Sequence, residues 1–374
     1  MIGSGIAGLV TARVLSDHVD RVTILERDRL PDDAVARRGA PQARHSHLLL
    51  AAGQRLLDGW FPRLAGALAA AGAVPLPAAD LAWQPAGDDR MRLDLGRPAM
   101  SMSQPLLEGA IRQCLLRQRT NVSIVDRTAV DGLVVAAGRV TGVRVDAVTH
   151  HADLVVACPG RNTQFLDQLA RLGFPAPDAS AVHVDLAYAS QVVRRDPNGL
   201  VGTAAVMLGD PSDSHRLGIM VPIEGERWMI TLGSCDGEVP PSDPAEYGAF
   251  ARSLPSPTIA EVLARAEPLS PVRTYRIPTD QRRHVERLDR IPSGFLVLGD
   301  AIRSVNPTSF QGVTSAALQA RVLSQALDRY GAASPELPRV FYRQVGVVVD
   351  ALADRRTPVG GLSSPPTGAV ADGP

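Results

Sequence analysis

The stretch that decides the fold of this 374-residue chain is Gly3-Ser4-Gly5-Ile6-Ala7-Gly8. Apolar residues at helical spacing follow it, and a short apolar run then ends at Glu26. Glycines at this spacing let a backbone turn approach a pyrophosphate, whose negative charge is favoured by the N-terminus of the following helix. An acidic residue at the end of the next strand accepts hydrogen bonds from a ribose. The pattern predicts a dinucleotide-binding turn, and the alternative is a tight turn before an ordinary helix.

The strand that should precede these glycines is short. Only Met1 and Ile2 stand before Gly3, whereas strands of a sheet usually have about five or six residues. We expect that translation starts upstream of Met1 or that the chain has been trimmed, and that restoring the upstream residues raises the stability.

A second strand followed by a helix is predicted near the other end of the chain. Phe295–Leu298 is an apolar run typical of a buried parallel strand, followed by Gly299-Asp300-Ala301 and by a helix predicted over residues 312–329. Between the two ends, successive β-rich runs from residue 182 to 233 predict an antiparallel sheet. The predicted fold class is therefore α/β, with doubly wound signals at both ends and an antiparallel sheet interleaved between them.

Composition excludes several classes of protein. All 39 basic residues are Arg, and the absence of Lys excludes a Schiff-base lysine and the lysine of a P-loop. The net charge is +0 and no basic stripe stands out, so nucleic acid is not an expected partner. No run of about 18 apolar residues predicts a membrane span. The three cysteines, Cys114, Cys158 and Cys235, match no zinc or disulfide pattern, which favours a reduced, cytoplasmic setting.

Two motifs together point to a family. The glycine-rich turn followed by Glu26-Arg27, and Gly299-Asp300-Ala301 near the other end, resemble motifs of the group A FAD-dependent monooxygenases. Longer strings resemble the flavin epoxidases of polyether antibiotic pathways, namely residues 37–49 (RRGAPQARHSHLL), residues 222–228 (PIEGERW), Phe61-Pro62 and Pro240-Pro241. The resemblance covers about residues 2–350.

The resemblance implies an FAD site assembled from both ends of the chain. In the family, the Asp of the second motif, here Asp300, holds the ribityl chain, and the helix that begins near Gly312 points at flavin N1 and O2. Arg37 and Gln42 would lie near the cofactor, and Gln104 would touch its diphosphate side, where relatives often have Arg. The cofactor-binding residues implied in this way are Gly3, Ser4, Gly5, Ile6, Ala7, Gly8, Glu26, Arg27, Arg37, Gln42, Gln104, Gly299, Asp300, Pro307, Gly312 and Val313.

The resemblance also divides the chain into domains. An FAD-binding domain of the Rossmann-like, doubly wound GR2 type is discontinuous, and a sheet domain for the substrate is inserted into it. The implied boundaries are 1–73, 103–172 and 270–330 for the FAD-binding domain, 74–102 and 173–269 for the substrate domain, and 331–356 for a C-terminal helical segment. The tail 357–374 is predicted to be disordered from its content of Pro, Gly and Ser.

The implied reaction is epoxidation or hydroxylation. NAD(P)H reduces FAD, O₂ adds to give the flavin C4a-hydroperoxide, and one oxygen passes to an apolar small molecule such as an alkene, a polyketide or an aromatic ring. The cofactor carries this chemistry, and no catalytic side chain is predicted. Val206, Leu208, Ile219 and Val221 are candidates either to line the substrate site or to pack the core.

His45 and His47 admit two interpretations. They could form a metal pair, but no third ligand stands at a sensible spacing, so no metal is predicted. The interpretation that we prefer is that they hydrogen-bond loop backbone or the cofactor.

Two positions depart from the family pattern. Residues 157–163 read ACPGRNT where relatives have DATGRGS, and Phe310 replaces a glycine of the loop beside the flavin ring. Phe310 would stack on the flavin, displace the loop or pack into the core. Besides the monooxygenase, two hypotheses stay open: a non-redox flavin-binding protein, such as a cyclase of polyketide biosynthesis, and a degenerate chain that no longer binds FAD.

Overall fold

The architecture combines helices and sheets from all parts of the chain. A computed structural model describes residues 1–76, 81–84, 91–93, 99–196, 204–208, 216–235, 237–304 and 307–354. The predicted tail 357–374 lies outside these residues, as does part of the predicted segment 74–102.

The helices are α1 (Ile6–Leu15), α2 (Ala51–Trp60), α3 (Leu64–Ala70), α4 (Gln104–Gln118), α5 (Gln164–Arg171), α6 (Pro244–Arg252), α7 (Thr258–Arg265), α8 (Gly312–Tyr330) and α9 (Leu337–Asp354). The strands are β1 (Val22–Leu25), β2 (Leu48–Leu49), β3 (Val74–Leu76), β4 (Leu81–Gln84), β5 (Met91–Leu93), β6 (Ala99–Ser101), β7 (Val122–Val125), β8 (Gly132–Ala136), β9 (Arg139–Val145), β10 (Val148–His151), β11 (Val155–Ala157), β12 (Ala179–Arg194), β13 (Ala204–Leu208), β14 (Arg216–Ile223), β15 (Arg227–Ser234), β16 (Arg273–Arg283), β17 (Phe295–Val297) and β18 (Arg303–Ser304).

Parallel strands from both ends of the chain meet in space. β1 pairs with β7, and β11 pairs with β17, each in parallel. Ile2 forms parallel bridges to Leu25 of β1 and to Ala157 of β11, so the two pairs are joined through a single residue. The backbone amide of Ile2 donates to the Val156 carbonyl, and that of Gly3 donates to the Leu25 carbonyl, each at 2.9 Å. This arrangement carries the chain from the parallel strands directly into the glycine-rich turn.

α1 lies inside the protein because it is apolar on nearly all sides. Leu9, Val10 and Ala12 are fully buried, and a helix without a polar face is stable only when it is covered. It packs against α4 and against α8. The C-terminal part of the chain is therefore held against the turn at the N-terminus.

A large sheet occupies the second half of the molecule. Its eight strands follow the order β18-β16-β12-β15-β14-β13-β4-β5. Neighbours pair antiparallel except β13 and β4, which run parallel. The antiparallel arrangement predicted for the successive β-rich runs is found in β13, β14 and β15. β14 and β15 form a hairpin, because a short turn at residues 224–226 joins them.

The two faces of this sheet pack against different parts of the protein. Alternate residues of a strand point to opposite faces. Trp228, Ile230 and Leu232 of β15 belong to the face that packs with α6 and α7. We call the opposite side the inner face, and its buried residues include Leu186, Tyr188, Ile219, Val221, Met229 and Ile277. The inner face packs with β2 and with Phe310 from the segment before α8.

One predicted domain boundary differs from the structure. Residues 273–283, assigned from the sequence to the FAD-binding domain, form β16 of the eight-stranded sheet. Its sequence RTYRIPTDQRR has no apolar run that marks it as a strand. Its place is decided by pairing with β12, from Ala179 opposite Arg283 to Ser190 opposite Arg273.

Two smaller sheets and one long helix complete the fold. β8, β9 and β10 form one sheet, and β2, β3 and β6 form the other. The predicted C-terminal helical segment contains α9, which packs on α8. Among the described residues, no helix combines the length and apolar character that crossing a bilayer requires.

Candidate functional site

Two of the three glycines in the turn are required by the protein itself. Gly3 has φ +90°, and a Cβ atom on it would lie 2.6 Å from the carbonyl oxygen of Cys158. A Cβ atom on Gly8 would overlap the carbonyl oxygen of Gly3. The turn that leads into α1 therefore closes only when both positions lack a side chain.

Gly5 is a glycine for which the protein shows no such need. It precedes α1 with φ −65° and ψ 174°, a conformation open to any residue. A Cβ atom on Gly5 would have a guanidinium nitrogen of Arg37 as its nearest neighbour, at 3.5 Å, which is ordinary contact. No side chain caps α1 at Gly5. A bare backbone before an uncapped helix N-terminus fits the pyrophosphate of a dinucleotide.

Glu26 lies buried beside this turn. Ser4 donates both its amide and its hydroxyl to Glu26 Oε2, at 2.7 and 2.8 Å. The amide of Asp28 donates to Glu26 Oε1 at 3.0 Å. These bonds hold the carboxylate at the end of β1, next to the glycine-rich turn. Arg27, the other residue of the motif, is exposed.

Arg37 joins Glu26 to two other carboxylates. Its guanidinium lies 3.1 Å from Glu26, 3.1 Å from Asp28 and 2.7 Å from Glu108 of α4. Burial lowers the pKa of Arg37, but the hydrogen bond to Glu108 and the charges of all three carboxylates outweigh burial and raise this pKa above its usual value. Arg37 is therefore a permanent cation against the turn, and no sequence pattern predicted its pairing with Glu108.

Gln42 and Gln104 reach the same region from two segments that touch. Gln42 is exposed on a single 3-10 turn, Pro41–Arg44, which packs against α4. Gln104 is the first residue of α4 and is half-buried. Ser103 caps α4 through the amide of Leu106, at 3.3 Å. Neither glutamine side chain forms a hydrogen bond to another described residue, so both amides are open to a ligand.

Asp300 follows β17 in a short turn that packs against α1. Gly299 has φ +76°, and a Cβ atom on it would lie 3.1 Å from the Cβ of Ala7. Burial raises the pKa of Asp300, whereas the charge of Arg161 lowers it. No hydrogen bond reaches the Asp300 carboxylate from another described residue. From the sequence, Arg161 was named only as part of the altered loop 157–163. No pattern predicted that this cation lies close enough to affect Asp300.

The start of α8 brings the last predicted residues to this region. α8 begins at Gly312 and Val313, shortly after a 3-10 turn that starts at Pro307. Apart from its chain neighbours and the backbone of its own helix, no atom of the described residues lies within 4 Å of the place that a Cβ atom on Gly312 would take, and none of the described side chains caps the helix. α8 also contacts both α1 and the turn at Gly299. Gly312 thus resembles Gly5, because each leaves open space before an uncapped helix N-terminus.

Phe310 adopts one of the three positions considered from the sequence. Its backbone has φ +53°, a left-handed conformation that favours glycine. Its half-buried ring packs against the inner face of the sheet. Ile219 and Val221, candidates for lining a substrate site, are buried in the same cluster, whereas the side chains of Val206 and Leu208 lie outside the described residues.

Phe310→Gly is expected to lower the melting temperature and to leave flavin content unchanged. It removes the packing of a half-buried ring, which at full burial contributes about 1.5–3 kcal/mol, and it relieves a left-handed backbone that costs about 1 kcal/mol. Phe310→Ala loses the same packing and keeps the backbone cost, so it should melt below Phe310→Gly in a thermal scan. Faster NADPH-dependent flavin reduction in Phe310→Gly would mean instead that the ring obstructs the cofactor.

A chain of hydroxyl groups on the inner face is centred on His45. His45 Nδ1 lies 2.7 Å from Ser190 Oγ, and Ser190 Oγ lies 2.6 Å from Thr231 Oγ1. Thr231 Oγ1 in turn lies 2.7 Å from Ser46 Oγ. The His45 ring is set at 86° to the ring of Tyr188, with their centres 4.5 Å apart. The His45 ring therefore hydrogen-bonds a strand side chain and not the loop backbone, which is one of the two partners expected from the sequence, whereas the other, the cofactor, stays a prediction.

His47 is placed differently from His45. Its Nε2 atom is buried without a hydrogen-bond partner among the described residues, and burial lowers the pKa of His47 to about 4. Across the described part of the chain, no group of three or more His, Cys, Asp or Glu residues is arranged to hold a metal ion.

A comparison with known sequences identifies a relative. Protein Rv3254 of Mycobacterium tuberculosis (strain ATCC 25618 / H37Rv) is 34% identical over 344 residues, which cover 87% of this chain and 72% of Rv3254. The chain belongs to the family of Rv3254. No protein-family model matches this member of the Rv3254 family.

Solved structures show which fold this Rv3254 relative has. PqsL, a probable FAD-dependent monooxygenase from Pseudomonas aeruginosa, matches with a TM-score of 0.70 at 18% identity, over 94% of this chain and 92% of PqsL. The flavin-dependent brominase Bmp2 matches with a TM-score of 0.73 at 17% identity, over 94% and 84% of the two chains. A variant of 2-methyl-3-hydroxypyridine-5-carboxylic acid oxygenase gives 0.70 at 18% identity, over 96% and 89%. The chain therefore has the fold of these flavin-dependent enzymes.

Proposed function

We propose that this protein is an FAD-dependent monooxygenase that uses NAD(P)H and O₂ to epoxidise or hydroxylate a small organic molecule. The observation that carries the proposal is Gly5, whose missing side chain serves no contact within the protein. The fold shared with PqsL, a probable FAD-dependent monooxygenase, and with the flavin-dependent brominase Bmp2 supports it. The likeness to polyether epoxidases remains a prediction from the sequence strings.

The residues around the turn fit a dinucleotide. The N-terminus of α1, bare at Gly5, would hold the pyrophosphate, and Arg37 would add a positive charge beside it. Glu26 would accept hydrogen bonds from the ribose. Ser4 and Asp28 already donate to Glu26, so rotation of the Ser4 hydroxyl would release one lone pair of the carboxylate for a ribose hydroxyl.

The opposite side of the site would hold the flavin end of FAD. When bound, FAD supplies the redox chemistry, taking electrons from NAD(P)H and activating O₂. Asp300 would accept hydrogen bonds from the ribityl hydroxyls, since its carboxylate has none from other described residues. The uncapped N-terminus of α8 at Gly312 would stabilise negative charge on the flavin ring. The packing of Phe310 on the inner face would help to exclude water from this side.

The first test is the visible spectrum of the purified protein. A yellow protein whose flavin absorbance bleaches with NADPH under argon and returns with air supports the monooxygenase. A yellow protein that does not respond to NADPH or NADH supports a non-redox flavin-binding role, for which the altered loop 157–163 is the motivating feature. A colourless protein that stays colourless after incubation with FAD contradicts both.

Asp300→Ala is expected to weaken FAD binding by about 10- to 150-fold, which corresponds to about 1.5–3 kcal/mol for a hydrogen bond to a charged group. Asp300→Asn keeps one acceptor oxygen and should fall between the wild type and Asp300→Ala. The affinity is measured by flavin fluorescence during titration of the stripped protein.

The matched control is Asp153→Ala, because Asp153 is an exposed carboxylate that precedes β11, whereas Gly299 follows its parallel partner β17, so the two positions lie at opposite ends of this strand pair. It should bind FAD like the wild type. An FAD affinity of Asp300→Ala equal to that of Asp153→Ala would remove Asp300 from the cofactor site.

A further inference from the structure

A cavity of about 390 Å³ opens between the 3-10 turn Pro41–Arg44 and the start of β16. Six of its lining residues are polar: Arg44, His45, Ser242, Arg273, Thr274 and Tyr275. The remaining two are apolar. This volume lies within the range of small-molecule sites, which is about 300–1,000 Å³, but the lining is far more polar than an apolar substrate would select.

Both cations of this cavity lack a carboxylate partner among the described residues. Neither Arg44 nor Arg273 forms an ion pair there, and no Asp or Glu lines the cavity. Arg276, three residues along the same strand, behaves differently because its guanidinium lies 2.6 Å from Asp185. Two unneutralised guanidinium groups at one opening favour an anion, which they can bind through charge-assisted hydrogen bonds.

His45 adds a fixed, uncharged group to this lining. Burial, reinforced by the charge of Arg44, lowers the pKa of His45 to about 3, so the imidazole is neutral near pH 7. Its Nδ1 atom is engaged by Ser190, and its ring is held between Tyr188 and Tyr275. Its Nε2 atom has no hydrogen bond to another described residue and remains available to a ligand.

We propose that this cavity binds an oxyanion group, a carboxylate or a phosphate, of a small organic ligand. Arg44 and Arg273 would pair with the charge, and His45 and Tyr275 would orient the group. The inference rests on the proposed function in one respect. It takes the bound anion to be one of two reactants of that function, either an acidic substrate or the phosphate-bearing reductant NAD(P)H.

The position of the cavity supports this role. Tyr275 of β16 lines the cavity and packs with the buried cluster of the inner face, against which Phe310 also packs. A ligand held by its charged end at Arg44 and Arg273 could therefore extend along aromatic side chains toward the segment before α8. That segment leads into the helix N-terminus at Gly312.

The test measures binding by titration calorimetry with two probes, benzoate for a carboxylate and ADP for phosphate groups. The protein is first incubated with excess FAD and desalted, because ADP is also a fragment of FAD and would otherwise enter the proposed dinucleotide site. Binding of benzoate alone assigns the site to an acidic substrate, and binding of ADP alone assigns it to the reductant. Arg44→Gln and Arg273→Gln should each weaken the bound probe by at least about tenfold. Arg276→Gln is the matched control and should bind like the wild type. Binding of neither probe, or equal binding by all four proteins, overturns the proposal.

A second readout follows His45 by NMR. The titratable groups around it are Arg44 and Arg273 at the cavity and Tyr188 and Tyr275 on the sheet. At pH 7, where both probes are anions, a bound probe should shift the ring resonances of His45 in the wild type and in Arg276→Gln, and the same probe concentration should shift them less in Arg44→Gln. Unchanged His45 resonances with probe bound would place that probe elsewhere and overturn the assignment.

Flavin absorbance of the same samples separates this inference from the proposed function. A protein that stays colourless after incubation with FAD and binds a probe through Arg44 overturns the monooxygenase and supports the anion site. A yellow, NADPH-responsive protein that binds neither probe overturns the anion site alone.

Discussion

Gly5→Val is expected to yield a folded protein that has lost at least about 100-fold in FAD affinity, about 2.8 kcal/mol. The backbone at Gly5 is in a region open to valine, and the nearest described protein atom to the new Cβ is a guanidinium nitrogen of Arg37 at 3.5 Å, which is ordinary contact. The new methyl groups would instead occupy the space before α1, where the pyrophosphate would lie. The measurement is flavin retained after desalting, with far-UV circular dichroism to confirm folding.

Two companions make this result specific. Gly66→Val introduces the same side chain at an exposed glycine of α3 with no atom within 4 Å, and it should retain flavin. Gly8→Ala should fail to fold, because its Cβ would overlap the Gly3 carbonyl. Normal flavin content in Gly5→Val would show that the turn is only a tight connection into α1.

Lowering the pH from 7.5 to 5 is expected to cost about 4 kcal/mol of folding stability through two histidines. The pKa of His45 is about 3 and that of His47 about 4 in the folded protein, whereas an unfolded histidine has a pKa of about 6.5. The unfolded state therefore binds more protons below pH 6.5, so stability is fully present above that pH and is lost as the pH falls. At pH 5, each histidine contributes about 2 kcal/mol of this loss.

Urea unfolding at both pH values measures this effect, and variants isolate it from the titration of carboxylates. His45→Asn can still bond Ser190, and His47→Gln keeps a polar side chain without titrating. Each should remove about half of the difference between wild-type stability at pH 7.5 and at pH 5. His150→Asn, at an exposed histidine, should leave the difference unchanged. If all three variants lose as much stability as the wild type, buried neutral histidines are not the cause.

The parts of the candidate site that could be predicted are those set by local backbone. Gly3 and Gly8 must lack a side chain because of contacts with atoms of the turn and of the segment after the neighbouring strand. Both positions lie in one short segment, so this requirement appears in the sequence as glycines at a fixed spacing. Glu26 ends β1 for the same reason, since strand and acidic residue are adjacent in the chain. Gly299 and Asp300 follow β17 in the same way.

The parts that could not be predicted depend on side chains from distant strands. Arg37 and Glu108 are far apart in the sequence, and their 2.7 Å contact forms where the segment around the 3-10 turn Pro41–Arg44 packs against α4. The hydroxyl chain at His45 needs β12 and β15 side by side, because Ser190 and Thr231 pair across them. β16 shows the same limit, since its polar sequence becomes a sheet strand only through pairing with β12.

Phe310 shows the difference between what the sequence determined and what the tertiary structure decided. The sequence by itself determined the α/β class, the glycine-rich turn and the acidic residues beside it, because these follow from backbone geometry within a few adjacent residues. Only the tertiary structure decided that the Phe310 ring packs on the inner face, that Gly5 and Gly312 both border open space, and that Arg44 and Arg273 share one cavity. The physical reason is that side-chain neighbours and open volume are properties of packed surfaces, which form only when elements remote in the chain are brought together.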